Sequence, residues 1–142
     1  MKKYLLILTV LFFISCDNDD SVRSAKKDLK GKWNWINSMG GFAGTVNTPE
    51  TEKKTIIVEF TDTTVKTYVD GNLQSEMKFQ IQTDKSIYGG ERKMIVTNYD
   101  DDFTSEFLIK KSFEIKDDEL ILSDECYDCY VSRYKRIKSY EK

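Results

Sequence analysis

The sequence predicts an all-β fold, an eight-stranded antiparallel up-and-down barrel with a short N-terminal helix. Three observations carry that prediction. Beyond residue 31 the chain divides into short segments in which apolar and polar residues alternate, the period of strands with one buried face. Turn signals such as Asp70-Gly71 and Gly89-Gly90 separate them. Antiparallel segments on short connections satisfy every edge only by closing, and about eight strands enclose an interior that side chains just fill or that holds one small ligand. An open sandwich is the alternative.

The elements follow in order. Ser24 is an N-cap candidate for a short helix through Lys30, and Gly31 stops it. The first strand, Lys32 to Asn37, puts Trp33 and Trp35 on one face. A long loop from Ser38 to Glu52 holds Gly40, Gly41, Gly44 and the only proline, Pro49. The second strand, Lys54 to Phe60, aligns Ile56, Val58 and Phe60, and Thr61 to Thr63 turns it into the third, Thr64 to Val69. After Asp70-Gly71 comes the clearest alternation, with Leu73, Ser75, Met77, Phe79 and Ile81 on one face and Gln74, Glu76, Lys78, Gln80 and Gln82 on the other. The fifth strand is Arg92 to Tyr99. Beyond Asp100 to Asp102 the sixth carries Phe107, Ile109, Phe113 and Ile115 in phase. A turn over Lys116 to Glu119 leads to Leu120 to Ser123, and Tyr130 to Ile137 closes the series.

The first 15 residues stand apart, with apolar side chains at 11 positions behind Lys2 and Lys3. A basic start and the apolar run Leu5 to Ile14 describe a secretory signal peptide. A run of ten residues is too short to span a bilayer, which needs roughly 20. The run ends in Phe13-Ile14-Ser15-Cys16, which resembles a bacterial lipobox, where the leader is cut before a cysteine that then carries a diacylglyceryl group. Phe13 departs from the usual leucine; the other three positions fit. Cys16 is therefore the expected lipidation site and membrane attachment, since two or three acyl chains anchor durably where one does not. The alternative is an ordinary signal peptide with an odd thiol.

Asp17, Asn18, Asp19 and Asp20 follow at once and resemble the acidic tract that sends many Bacteroidetes lipoproteins to the outer face of the outer membrane. A plain solvated tether is the other reading. The expected divisions are a leader over residues 1–15, an acidic flexible tether over 16–26, the barrel over 27–139 and a tail over 140–142.

Composition excludes several chemistries. The chain has no histidine, so no imidazole base activates a nucleophile and no histidine-containing zinc site forms. Its net charge is -2, falling to -4 when Lys2 and Lys3 leave with the leader, which gives no electrostatic footprint for nucleic acid. No catalytic residues, metal site or cofactor are expected, and no acid–base or nucleophile–base pair can be assembled from sequence.

Gly31-Lys32-Trp33, after a short helix and opening the first strand, resembles the G-x-W signature of lipocalins. With the lipobox, the Gly40-Gly41 loop, the Asp117 to Leu122 turn and strand and the Tyr134-Lys135-Arg136 ending, the chain is similar to the lipocalin-like lipoproteins of Bacteroidetes over about residues 28–138. The resemblance implies a barrel whose closed end is plugged by Trp33 behind Gly31, with a basic side chain from the last strand across it. Arg133 and Arg136 are the candidates, on opposite faces of that strand.

Cys126-Tyr127-Asp128-Cys129 is the sharpest local motif. A redox C-x-x-C sits at a helix N-terminus, but a strand follows this one; with Cys16 lipidated, a small disulfide loop suits an exported protein. Free thiols are the alternative. The acidic turns at Asp100 to Asp102 and Asp117 to Glu119 lack the spacing of a calcium loop and read as solvated hairpins. Inward Trp35, Phe60, Ser75, Met77, Phe79 and Phe107 are the candidate ligand-binding residues. The expected protein is a lipid-anchored outer-membrane lipoprotein of the cell envelope binding a small apolar or amphipathic molecule. The alternative is a filled barrel acting as a structural or protein-interaction module.

Overall fold

The computed structural model describes residues 17–98, 103–104 and 108–138, with residues 17–19 as backbone alone. The leader, Cys16, the Asp100 to Asp102 turn, Phe107 and the tail lie outside the described residues.

Eight strands close into an antiparallel barrel. They are β1 (Gly31–Gly40), β3 (Ile56–Phe60), β4 (Thr64–Val69), β5 (Asn72–Lys85), β6 (Glu91–Thr97), β7 (Ile109–Lys116), β8 (Glu119–Asp124) and β9 (Tyr130–Arg136). From β3 to β9 each strand pairs with the next, and β1 pairs with β3 over its first half and with β9 along most of its length. A bulge between Trp35 and Asn37 lets β1 serve both neighbours.

The long loop expected after the first strand contains structure. A short β2 (Thr45–Asn47) lies along the far half of β1, and a one-turn α2 (Pro49–Glu52) follows. Its start is fixed locally: the Thr48 hydroxyl accepts from the Thr51 N–H, the Thr51 hydroxyl accepts from the Thr48 N–H, and Pro49 occupies the first turn.

The N-terminal segment differs from the sequence reading. Instead of an extended tether followed by a helix from Ser24, one helix, α1, runs over Asp17–Leu29. Val22, Ala25 and Leu29 fall on one helical face, and the barrel end offers that stripe an apolar surface. Leu29 is fully buried, while Lys26 and Lys27 in the last turn suit the negative end of the helix dipole.

α1 closes one end of the barrel through Trp33. The indole Nε1 donates to the Leu29 carbonyl at 2.8 Å, and the Arg136 guanidinium lies 3.9 Å over the ring centroid. The same guanidinium donates to the Lys30 and Asp28 carbonyls at 3.0 and 2.6 Å, satisfying groups the helix end leaves free. Arg136, and not Arg133, is thus the basic residue across Trp33. Above the plug the interior is a continuous core that includes Val58, Phe60, Val65, Phe79, Ile81, Ile95, Leu120 and Leu122.

At the opposite end the β8–β9 turn carries a disulfide between Cys126 and Cys129, their Cα atoms 5.6 Å apart. Glu125 beside it accepts from the Ser86 hydroxyl at 3.0 Å and the Ile87 N–H at 2.9 Å, and Tyr88 donates its hydroxyl to the Asp124 carbonyl. The tip of the β5–β6 hairpin is thereby fastened to the loop that holds the disulfide. A loop closed over so few residues restricts the unfolded chain modestly, by about 2 kcal/mol in the chain-entropy treatment. Reduction, or the double substitution Cys126→Ser and Cys129→Ser, is expected to lower stability by that amount without unfolding the barrel. Denaturant midpoints with and without reductant measure it.

Candidate functional site

Alternation along the strands sends one face of each into the barrel, and the described inward residues do not fill it. A chamber of about 270 Å³ remains, walled by Val58, Phe60, Val65, Met77, Ile95 and Leu122, with Thr67 and Thr97 among them. Toward the open end a vestibule of about 290 Å³ lies between Trp35, Ser38, Asn47, Glu52, Lys54, Tyr130 and Ser132. Ile56 and Tyr134 line both spaces, and the neck is the stretch of wall they share. Each space lies near the lower end of the 300 to 1,000 Å³ of ordinary ligand pockets.

The neck carries charge. Lys111 of β7 and Asp124 of β8 are directly opposed in register and form an ion pair. Lys111 lines the chamber and Asp124 the vestibule. With side chains 40% and 25% exposed, the pair contributes little to folding, so its effect is to put polar groups where the apolar wall ends. Asp124 also accepts from the Tyr130 N–H at 3.4 Å. In the vestibule the Trp35 Nε1 donates to Ser38 at 2.9 Å, and Ser38 and Ser132 share a hydrogen bond at 2.7 Å.

Burial pushes the Tyr134 phenol up to about 12; the Ser132 hydroxyl acts in the opposite direction and the negative Asp124 adds to the rise. Tyr134 therefore keeps its proton and remains a donor. The sign for stability follows: the folded state holds this proton more tightly than the unfolded chain, whose tyrosine titrates near 10. The contribution is complete below pH 10 and is lost as pH rises toward 12. Tyr134→Phe is expected to flatten the alkaline fall in stability by roughly 2 kcal/mol across that window, read from urea midpoints at each pH.

The candidate ligand residues fall into four places. Phe60 and Met77 wall the chamber, and Trp35 lines the vestibule. Phe79 is buried nearer the plug, edge-on to Phe60 at 5.5 Å, with the Lys26 ammonium over its ring. Ser75 is half-buried opposite Thr67 on the β4–β5 ladder and does not line the chamber. Phe107 lies outside the described residues. Sequence reasoning missed Lys111, Asp124 and Tyr134. The signal was present: Lys111 shares the phase of Ile109 and Phe113, and Asp124 that of Leu120 and Leu122, so opposite charges interrupt two adjacent inward rows.

A hollow of similar volume on the outer face, between Arg92, Glu114 and Ser123, is flanked by charge and opens to solvent. Among the described residues no three acidic or cysteine side chains gather to hold a metal, and no helix is long and apolar enough to cross a membrane.

Fold and site together define a closed antiparallel β-barrel with an internal chamber, plugged at one end and, among the described residues, open at the other. Comparison with protein-family models, curated proteins and solved structures finds no match for this chain.

Proposed function

We propose that this protein is a lipid-anchored, lipocalin-like binding protein of the outer membrane, taking a small apolar or amphipathic molecule into its barrel. One observation carries the reading: the apolar chamber is unfilled and meets a polar neck and vestibule at the open end. A molecule with an apolar body and a polar end matches that sequence of surfaces. The lipobox-like Phe13 to Cys16 supports the anchor, and the Gly31-x-Trp33 plug with Arg136 across it supports the family likeness. Cys16 directly precedes α1 in the sequence.

Native mass spectrometry with solvent extraction, on the chain purified from its membrane fraction, tests the binding reading. A co-purifying small molecule other than the anchor's own lipid supports it. A bare chain that also fails to take up an added apolar dye counts against it. For the anchor, Cys16→Ala should release the exported protein from the membrane fraction.

A second reading, a protein-interaction module, draws on the rim. Phe42 and Tyr127 are 98% and 85% exposed, with Met39 and Val46 also exposed. Met39 and Val46 pair across β1 and β2, Phe42 lies in the turn between those strands, and Gly41 joins that turn to Cys129 beside Tyr127. An envelope partner captured by crosslinking at Phe42 and lost on its replacement by serine would favour this reading.

A further inference from the structure

We infer that the barrel selects molecules with an acidic head, a short apolar chain ending in a carboxylate, and that Lys111 is the residue that binds the head. The inference rests on the binding reading above and specifies its ligand. Among the described residues Lys111 is the one charged side chain lining the chamber. An ammonium has three N–H donors, and Asp124 takes the one directed toward the vestibule, leaving donors for a second acceptor. The other functional groups at the neck also donate: the Tyr134 hydroxyl keeps its proton, and the Thr67 and Thr97 hydroxyls stand in the chamber wall. A carboxylate at the neck meets a cation and O–H donors; charge-assisted bonds of that kind are about twice as strong as neutral ones.

Other heads fit less well. An amine would face the like charge of Lys111, and the charge of Asp124 beside it is already balanced by that lysine. An alcohol would gain only a neutral bond. The chain is bounded by the chamber: about 270 Å³, at the roughly 30 Å³ that one water-sized group occupies, admits at most about nine carbons. One feature opposes the acid, since the Asp124 carboxylate stands beside the place its head would take. Removing that charge should therefore tighten acid binding while leaving neutral ligands alone, a change that a merely structural ion pair would not produce.

The test uses the full chain in lipid nanodiscs, with empty discs as the blank, and calorimetric titration of hexanoate, hexan-1-ol and hexylamine at neutral pH. Hexanoate is expected to bind about tenfold or more tightly than the other two. Lys111→Met should bring hexanoate down to the level of the alcohol and leave the alcohol unchanged. Asp124→Asn should tighten hexanoate about threefold or more, and it serves alone if the Lys111 variant does not fold. Equal binding of acid and alcohol, or a preference that survives Lys111→Met, overturns the inference. Nile red separates the two levels of the argument. If the dye enters the barrel but the acid is not preferred, only the head-group assignment falls. If neither dye nor any six-carbon ligand binds, the binding reading falls with it.

Discussion

Trp33→Ala is expected to lower the unfolding free energy by about 3 to 5 kcal/mol, the range for truncating a large buried aromatic side chain. Several losses coincide at this position. The indole is fully buried, so its apolar surface is replaced by a void beneath α1. Its Nε1 no longer donates to the Leu29 carbonyl, and the Arg136 guanidinium loses the face on which it stacks. α1 is then held by Leu29, Ala25 and Val22 over a cavity, so the helix should detach before the barrel opens. Proteolysis should cut within Asp20 to Lys30 sooner than elsewhere, and helical circular dichroism should fade at lower denaturant than the strand signal. Arg136→Met is the graded control. It keeps an apolar stem over the ring but gives up the cation and two carbonyl bonds, for a loss of about 1 to 2 kcal/mol. A Trp33→Ala loss no larger than that of Arg136→Met would show that burial at the plug is not what secures the helix.

The barrel was legible in the sequence because alternation is a local record of burial. Strands such as Leu73 to Gln82 state which side chains face inward without reference to any neighbour, and eight such records on short links admit few arrangements. The plug came instead from the resemblance of Gly31-Lys32-Trp33 to the G-x-W signature, which left Arg133 and Arg136 as alternatives until their positions on β9 were known. What sequence could not supply was the consequence of register. That Lys111 stands opposite Asp124, with Ile56 and Tyr134 completing a neck, depends on the shift between β7, β8, β9 and β3 around the barrel. Alternation gives the face and leaves the height open. For the same reason Phe79 and Ser75 were grouped with Phe60 and Met77, although they sit below and beside the chamber. α1 was misread for a different cause: an acidic run suggests a solvated tether, and the stripe of Val22, Ala25 and Leu29 along the helix decided its course.

Gly40→Ala is expected to be nearly as damaging as the loss of Trp33, through a contact that offers no room to relax. Gly40 is the last residue of β1, paired with Tyr130 at the start of β9, and Gly41 donates its N–H to the Cys129 carbonyl at 3.4 Å. A Cβ on Gly40 would stand 2.1 Å from the Cys129 carbonyl oxygen and 2.8 Å from the Tyr130 Cα. Both are backbone atoms, and the first belongs to a loop held by its own disulfide, so no side chain can swing aside. The β1–β9 seam must part at the rim, with an expected cost of about 3 kcal/mol, the upper end of the range for overpacking. Gly44→Ala provides the comparison within the same loop. Its φ of +63° is equally unsuited to an L side chain, but nothing lies within 4 Å of the added carbon, so the cost should stay near 1 kcal/mol. The two variants separate close approach from backbone strain. They also bear on the site, because Trp35, Ser38, Tyr130 and Ser132 of the vestibule lie on the two strands this seam joins. Gly40→Ala should therefore weaken uptake of an apolar dye at temperatures where the barrel is still folded, and Gly44→Ala should not. Equal melting temperatures for the two variants would mean that β1 and β9 tolerate separation at the rim, and that the mouth of the barrel is held by the disulfide loop alone.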